Sequence, residues 1–464
     1  MAHAQSSFKV IIIGSGLAGS LLANGLIHKD VDVRVYERLE RHAKREGYQI
    51  RLGAPALKGM RACLNQQQIK AIVDKFGRSG GVRSSAPVLY DKNFKELVDL
   101  TVFPSYSKSA PIKRGILRDL LADPVYEAGK LQYGRAFTRY EILDPGTATE
   151  RVRVWFDDGS SDECDVLIGA DGSNSKVNLQ LGLDNIKQIT SHVSLIAKQE
   201  LPNSRLRQMS PQLQQKPVMT FADRKSFFYA AYLPDKIEEG GTKTGSSIDD
   251  SISAMMFGVQ VPTEECPPNL ANYSSEEKFN FVLSAFRGWS KEHSSKEIIN
   301  LIEGSDLYVF NARASARPPL DWRKKLSSEG AAERGNPRVW LLGDAMHAML
   351  PLRGMGGNQS SCDTATALPI LSELSASKAT GAADMRKKIQ EGCEAYEREM
   401  IPRAFGWVEK SGGSNIQPID SSTVGGKCLF LLARLAMTFT WAWYSFIGLF
   451  FTHEIVDDAP ELRT

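Results

Sequence analysis

Apolar residues along this chain fall into short runs separated by longer patterns of helical period. Residues 8–13, 166–168 and 339–342 read as buried strands, and 31–36, with Asp32 and Arg34 between apolar positions, as a second parallel strand. A helix-like pattern follows the first run through Leu26. Another covers 360–371 after the last run, and a charged helical pattern resumes over 385–400. Buried strands alternating with helices predict an α/β fold built on a parallel, Rossmann-like sheet. The middle of the chain is different. Residues 218–220, 227–232, 254–259 and 279–286 have strand character, predicting a mixed or antiparallel sheet. The polar, glycine-containing stretch 236–250 predicts an exposed loop there, and Gly381 a break between the two late helices.

The turn after the first strand is Gly14-Ser15-Gly16-Leu17-Ala18-Gly19, and the second strand ends at Glu37. In a strand–turn–helix–strand context this is a dinucleotide fingerprint. Gly14 permits the tight turn, Gly16 lets the backbone approach a pyrophosphate, and Gly19 lets helix and strand pack closely. The helix N-terminus offers N–H groups to the phosphates. Glu37 is placed to accept hydrogen bonds from an unphosphorylated ribose. Taken alone, this segment does not distinguish FAD from NAD.

Two later segments do. One is Asp165-Val166-Leu167-Ile168-Gly169-Ala170-Asp171-Gly172-Ser173-Asn174-Ser175. The other is Gly343-Asp344-Ala345-Met346-His347 with Pro351-Leu352-Arg353-Gly354-Met355-Gly356-Gly357-Asn358. Together they resemble the DG motif and second FAD signature of class A flavoprotein monooxygenases, the para-hydroxybenzoate hydroxylase-like family. The likeness is greatest to the branch common in fungal natural-product pathways. The resemblance implies FAD as cofactor. It puts Asp171 at the nucleotide, Asp344 on a ribityl hydroxyl, Pro351 beside the isoalloxazine, and the Gly354–Gly356–Gly357–Asn358 turn at the flavin pyrimidine edge. Arg114 matches an arginine that the family places near FAD, and Arg51 one that approaches the isoalloxazine. The segment departs in one respect: Val177 is followed by Asn178 where an arginine is common. That departure bears on the NAD(P)H contacts.

The resemblance further implies NAD(P)H- and oxygen-dependent monooxygenation, hydroxylating or epoxidising a small lipophilic aromatic, indole or terpenoid substrate in secondary metabolism. NADPH is the slightly preferred reductant. Tyr229, Tyr232 and Arg51 are candidates to orient or activate the substrate. An FAD-dependent dehydrogenase or reductase without oxygen transfer is the alternative, and a non-enzymatic membrane or interaction protein a further rival. Residues 1–82, 111–190 and 326–410 are expected to form a discontinuous FAD-binding domain. Residues 83–110 and 191–325 then form a substrate domain, and 411–464 a C-terminal apolar helical region.

Composition narrows the partners. The 464 residues carry 57 basic and 54 acidic side chains, a net charge of +3 without the clustering a nucleic-acid footprint requires. Six scattered cysteines with no CxxC pair predict a reducing, intracellular compartment. Seven scattered histidines without HExxH predict no metal site. Residues 428–451 are nearly continuously apolar and include Trp441, Trp443 and Tyr444. Three readings stay open for them: a buried helical hairpin or homodimer surface, a monotopic membrane contact, or a membrane span. Localisation is thus expected to be cytoplasmic, or peripheral or integral to an intracellular membrane.

Overall fold

The computed structural model describes residues 7–43, 49–77, 87–100, 109–201, 203–232, 253–289, 293–328, 330–380, 384–413 and 420–447. Strand β1 (Lys9–Ile13) is buried from Val10 onward. It leads through the glycine turn into α1 (Leu17–His28) and then β2 (Asp32–Tyr36). Next come β3 (Gln49–Leu52), α2 (Ala54–Cys63), β4 (Val88–Tyr90), β5 (Glu96–Asp99), β6 (Ala110–Lys113), α3 (Arg114–Glu127) and β7 (Leu131–Gln132). A three-stranded antiparallel meander spans 137–164. Beyond it, β8 (Val166–Gly169) turns into α4 (Lys176–Leu181). The middle region contributes β9 (His192–Leu201), β10 (Val218–Ala222), β11 (Lys225–Tyr232), β12 (Ser253–Pro262), α5 (Ser275–Ala285) and β13 (Leu307–Phe310). The chain then forms β14 (Val339–Leu341), α6 (Asp344–His347), α7 (Gly356–Ala379), α8 (Met385–Lys410) and α9 (Val424–Ile447).

The α/β architecture read from the sequence is present. A parallel five-stranded sheet has the order β14-β8-β1-β2-β7. Its strands come from residues 9 to 341, and helix α1 packs on it. The 137–164 meander also meets it, with Tyr36 against Phe156 at 4.3 Å between ring centroids and the Tyr36 hydroxyl donating to Asp162 at 2.7 Å. The second sheet has seven strands, ordered β13-β9-β12-β11-β10-β4-β5. It is antiparallel except where β10 meets β4. One face of this sheet forms a second core with the helices of residues 203–215 and 275–302. The short ribbon β3–β6 touches both β11 and β12.

Four expectations need adjustment. Residues 279–285 fall in helix α5, with Phe286 as its C-cap, and not in a strand. Ser274 and Glu277 form a capping box, with the Ser274 Oγ accepting from the Glu277 N–H and the Glu277 carboxylate accepting from the Ser274 N–H. The helix expected over 360–371 begins earlier, at Gly356, and runs to Ala379 through Pro369. The charged helix continues to Lys410. The C-terminal apolar region contains one long helix, α9, whose side chains are mostly exposed, so it is no buried hairpin within this chain. The loop expected at 236–250 and Gly381 lie outside the described residues.

Candidate active site

The C-terminal ends of β1, β8 and β14 lie side by side, and each opens into one of the three motifs. At the first, Gly14 has φ +104° and would bring a Cβ to 2.5 Å from the Ala170 carbonyl oxygen. The nucleotide turn and the Asp171 turn are therefore in backbone contact. A Cβ on Gly19 would lie 2.1 Å from the Gly14 oxygen. Gly16 differs, since nothing in the protein lies within 4 Å of its Cβ position. That open side is where a pyrophosphate would meet the N-terminus of α1. Glu37 is buried beneath the turn. It accepts hydrogen bonds from the Ser15 N–H (3.0 Å), the Ser15 Oγ (3.1 Å) and the Leu39 N–H (3.0 Å). These bonds fix the carboxylate at the turn, beneath the place a ribose would take.

Asp171 acts on its own segment. It accepts from the Ser175 Oγ at 2.5 Å and the Lys176 N–H at 2.8 Å, shaping the start of α4. Burial pushes its carboxyl above the ordinary range. At the third motif, Gly343 has φ +61°, and a Cβ there would come within 2.7 Å of the Ser360 Oγ. Asp344 follows as the first residue of α6. Its half-buried carboxylate makes no hydrogen bond among the described residues, which suits a ribityl hydroxyl. Pro351 is exposed at the start of a single 3-10 turn that Gly354 ends with φ +62°.

Helix α7 starts at Gly356, so the N–H groups of Gly356, Gly357 and Asn358 have no carbonyl one turn back within the helix. The Asn358 side chain is engaged within the protein. Its Oδ1 accepts from the Gly53 N–H, and its Nδ2 donates to the Arg51 and Gly354 carbonyls, all at 2.9 Å. It clips β3 to the 354–358 turn. Asn358→Ala is expected to release this clip, at a cost of about 1–3 kcal/mol, and to weaken FAD binding roughly 10-fold. Flavin titration of the variant checks this.

A buried network that sequence reading missed underlies the turn. Asp363, on α7, accepts from the Gly343 N–H at 2.9 Å, from His347 Nε2 at 2.7 Å and from Arg403 Nη2 at 2.9 Å. Arg403, on α8, also donates to Gln359 Oε1 and Glu399, both at 2.7 Å. Burial alone would pull the His347 imidazole down, but the adjoining carboxylate outweighs it and holds the group above its usual value. Burial likewise pushes Asp363 up, and His347 and Arg403 outweigh that, leaving it depressed.

Arg51 donates to the Ser109 Oγ at 3.2 Å and the Ser109 carbonyl at 2.9 Å. Ile50 and Leu52 face Gly357, so Arg51 occupies the other face of β3. Burial pushes its guanidinium down to about 10, still cationic at neutral pH. Arg114 is the first residue of α3, half-buried directly after β6. Tyr229 lies in the helix-covered core, fully buried, with its hydroxyl on Met209 Sδ at 3.4 Å. That placement gives it a packing role. Tyr232 pairs with Ala254 at the end of β11, and its side chain lies outside the described residues.

Strand alternation turns Phe228, beside Tyr229, to the opposite face. There Phe228, Gly258 and Ile196 share one row across three strands, all half-buried. Phe310, on the same face, packs against the small cluster of Ile189, Ala312, Ala314 and Leu350, the last the neighbour of Pro351. This is an apolar surface next to the flavin turn that sequence reading did not single out. Tyr229→Phe is expected to cost about 1 kcal/mol of stability or less and leave KM unchanged. Phe228→Ala should raise KM several-fold with FAD binding intact. Steady-state kinetics on the two variants would separate the two faces.

The glycines at close backbone approaches, the open face at Gly16, the unengaged Asp344 carboxylate and the helix start at Gly356 fit FAD lying across the sheet ends. Among the described residues no cluster suits a metal ion.

No family model matches the chain. Over 448 residues, 90% of this chain and 94% of the relative, it is 25% identical to the FAD-dependent monooxygenase thnD of Trichoderma harzianum. Over 440 residues, 88% of this chain, it is 24% identical to the dual O-methyltransferase/FAD-dependent monooxygenase elcB of Phaeosphaeria nodorum. The chain spans about half of that relative, 46%. Among solved structures it is similar to Klebsiella pneumoniae HpxO complexed with FAD and uric acid. The TM-score is 0.60 at 20% identity, covering 88% of this chain and 87% of that one, a likeness of fold. By sequence the chain is similar to FAD-dependent monooxygenases, fungal enzymes among them.

Proposed function

We propose that the protein is an FAD-dependent monooxygenase that inserts one atom of molecular oxygen into a small lipophilic substrate. An aromatic ring, an indole or a terpenoid alkene fits the reading, by hydroxylation or epoxidation in secondary metabolism. The convergence of three motifs, from residues 14–37, 165–177 and 343–358, on adjacent strand ends carries this reading. When bound, FAD supplies the redox chemistry, taking a hydride from NAD(P)H and activating oxygen. Overall, substrate, O2, NAD(P)H and a proton give oxygenated product, NAD(P)+ and water. NADPH is the reductant we favour.

The protein's own part is to hold and to exclude. Ser15 and Glu37 anchor the adenosine end, and Asp344 takes a ribityl hydroxyl. The α7 N-terminus directs its N–H groups and positive end at negative charge on the pyrimidine edge. Pro351 and the row Phe228–Gly258–Ile196 supply an apolar wall that keeps water from the reacting centre. Arg51 stands at the ribbon between the sheets, fixed by Ser109 for contact with the flavin or the substrate, and Arg114 is assigned to the cofactor.

The test is turnover of the purified protein with NADPH or NADH, oxygen and a panel of indoles, phenols and terpenoids. A bound-flavin spectrum with substrate-coupled gain of one oxygen atom by mass is the expected result. Flavin reduction without incorporation, on substrates shown to bind, would instead favour a dehydrogenase or reductase.

A further inference from the structure

We propose that α9 is an in-plane membrane anchor that seats this chain on a lipid bilayer. The inference goes beyond the oxygenation chemistry and does not depend on it.

Helix α9 has 24 residues, two cations (Lys427 and Arg434) and no acidic residue. It is the one described helix long and apolar enough to cross a membrane by length and composition. Its surface divides into three sectors. One ridge meets the body: Phe430 is buried, and Met437 and Trp441 line a groove with Leu97 and Val98 on β5. A second sector, flanking the ridge, carries Lys427, Arg434 and Ser445. The third is an outward arc of Leu431, Leu435, Phe439, Leu432, Trp443 and Leu429, covering roughly 160° at the helical repeat. Those six side chains are 46–77% exposed, and no charge interrupts them.

A water-soluble flank turns its charged face outward. This helix turns its apolar face outward, the polarity a bilayer requires of an interfacial helix. Thr438 and Thr440 remove further polarity by donating their hydroxyls to the Arg434 and Ala436 carbonyls of the same helix, at 2.9 and 2.8 Å. A single packed helix from a second copy would cover a stripe of about 100° and leave much of the arc wet. Arg434 lines the groove against β5 beside Glu96 and Asp99, while the exposed Lys427 stands where its ammonium can reach lipid phosphates. Because β5 holds the middle of the helix, α9 lies along the protein flank, about 36 Å long, and does not cross the bilayer in this pose. The seven-stranded sheet, whose edge strand is β5, is thereby brought to the lipid surface.

The experiment is flotation of the full-length protein with phosphatidylcholine vesicles at low and high salt. The wild type is expected to float in both. The double variant Phe439→Glu/Trp443→Glu should lose at least 90% of vesicle binding, about a 10-fold change, with an unchanged melting temperature. Leu320→Glu, at a highly exposed site elsewhere on the surface, should float like the wild type. Wild-type protein that stays with the unbound fraction, or a double variant that floats equally well, overturns the proposal. A wild-type dimer that ignores vesicles and falls to monomers in the double variant, measured by light scattering, would assign the arc to a second copy instead.

Discussion

Gly16→Ala is expected to give a folded, colourless protein. The backbone at Gly16 is extended, with φ −69° and ψ −174°, which alanine adopts freely. No protein atom lies within 4 Å of the new methyl group. The apoprotein should therefore keep its stability within about 0.5 kcal/mol of the wild type. The methyl occupies the space that the pyrophosphate needs, so FAD affinity should fall about 100-fold, ~2.7 kcal/mol. Gly19→Ala is the contrast. Its methyl would strike the Gly14 carbonyl oxygen at 2.1 Å, so the apoprotein itself is destabilised. Calorimetry of the apo forms, beside flavin titration, separates the two effects. A Gly16→Ala protein that retains FAD at wild-type affinity would remove the nucleotide from this turn.

The second large effect is expected at Asp363. Its replacement by alanine strands the Gly343 N–H and leaves Arg403 and His347 beside a lost carboxylate. Removing one partner of a buried charge pair costs about 3–5 kcal/mol. Asp363→Asn keeps the shape and removes the charge, which makes it the better probe of pH. Asp363 is depressed in the fold, so its stabilisation is present above the ordinary carboxylate range and is lost as pH falls through the folded value. His347 is raised, so its contribution is complete below the ordinary imidazole value and is lost as pH rises through its higher folded value. The pair therefore stabilises most in the window between the two. Melting temperature followed from pH 3 to 9 should show that plateau in the wild type and lose both shoulders in Asp363→Asn. Parallel curves would show that the pair does not set the pH dependence.

The α/β class, the nucleotide turn and the flavin turn were legible because each of their demands is local. Gly14, Gly343 and Gly354 adopt positive φ in segments a few residues long, and the strands leading into the first two, Val10–Ile13 and Val339–Leu341, are apolar and buried. The side-chain directions of residues 227–231 were hidden for the opposite reason. Phe-Phe-Tyr-Ala-Ala has no polar position to mark its alternation, so only the pairing with β12 reveals that Phe228 and Tyr229 point to different faces. Residues 279–286 carry aromatics that imitate a strand, while the capping box at Ser274 and Glu277 lies just outside that window. The Asp363 network joins residues 343, 347, 363 and 403 from three helices and the turn before them. No spacing rule links such positions before the helices are packed.

The order of strands in the parallel sheet has a consequence for synthesis. Strand β8 sits between β1 and β14, yet β14 is made about 170 residues later than β8. A chain still on the ribosome can pair β8 with β1 early, leaving the apolar flank of Val166–Gly169 as an open sheet edge. The cofactor cradle cannot close until residue 358 has emerged. Flavin capture thus waits on β14 and the turn that follows it, and a chain stalled between β8 and β14 presents a sticky edge to chaperones.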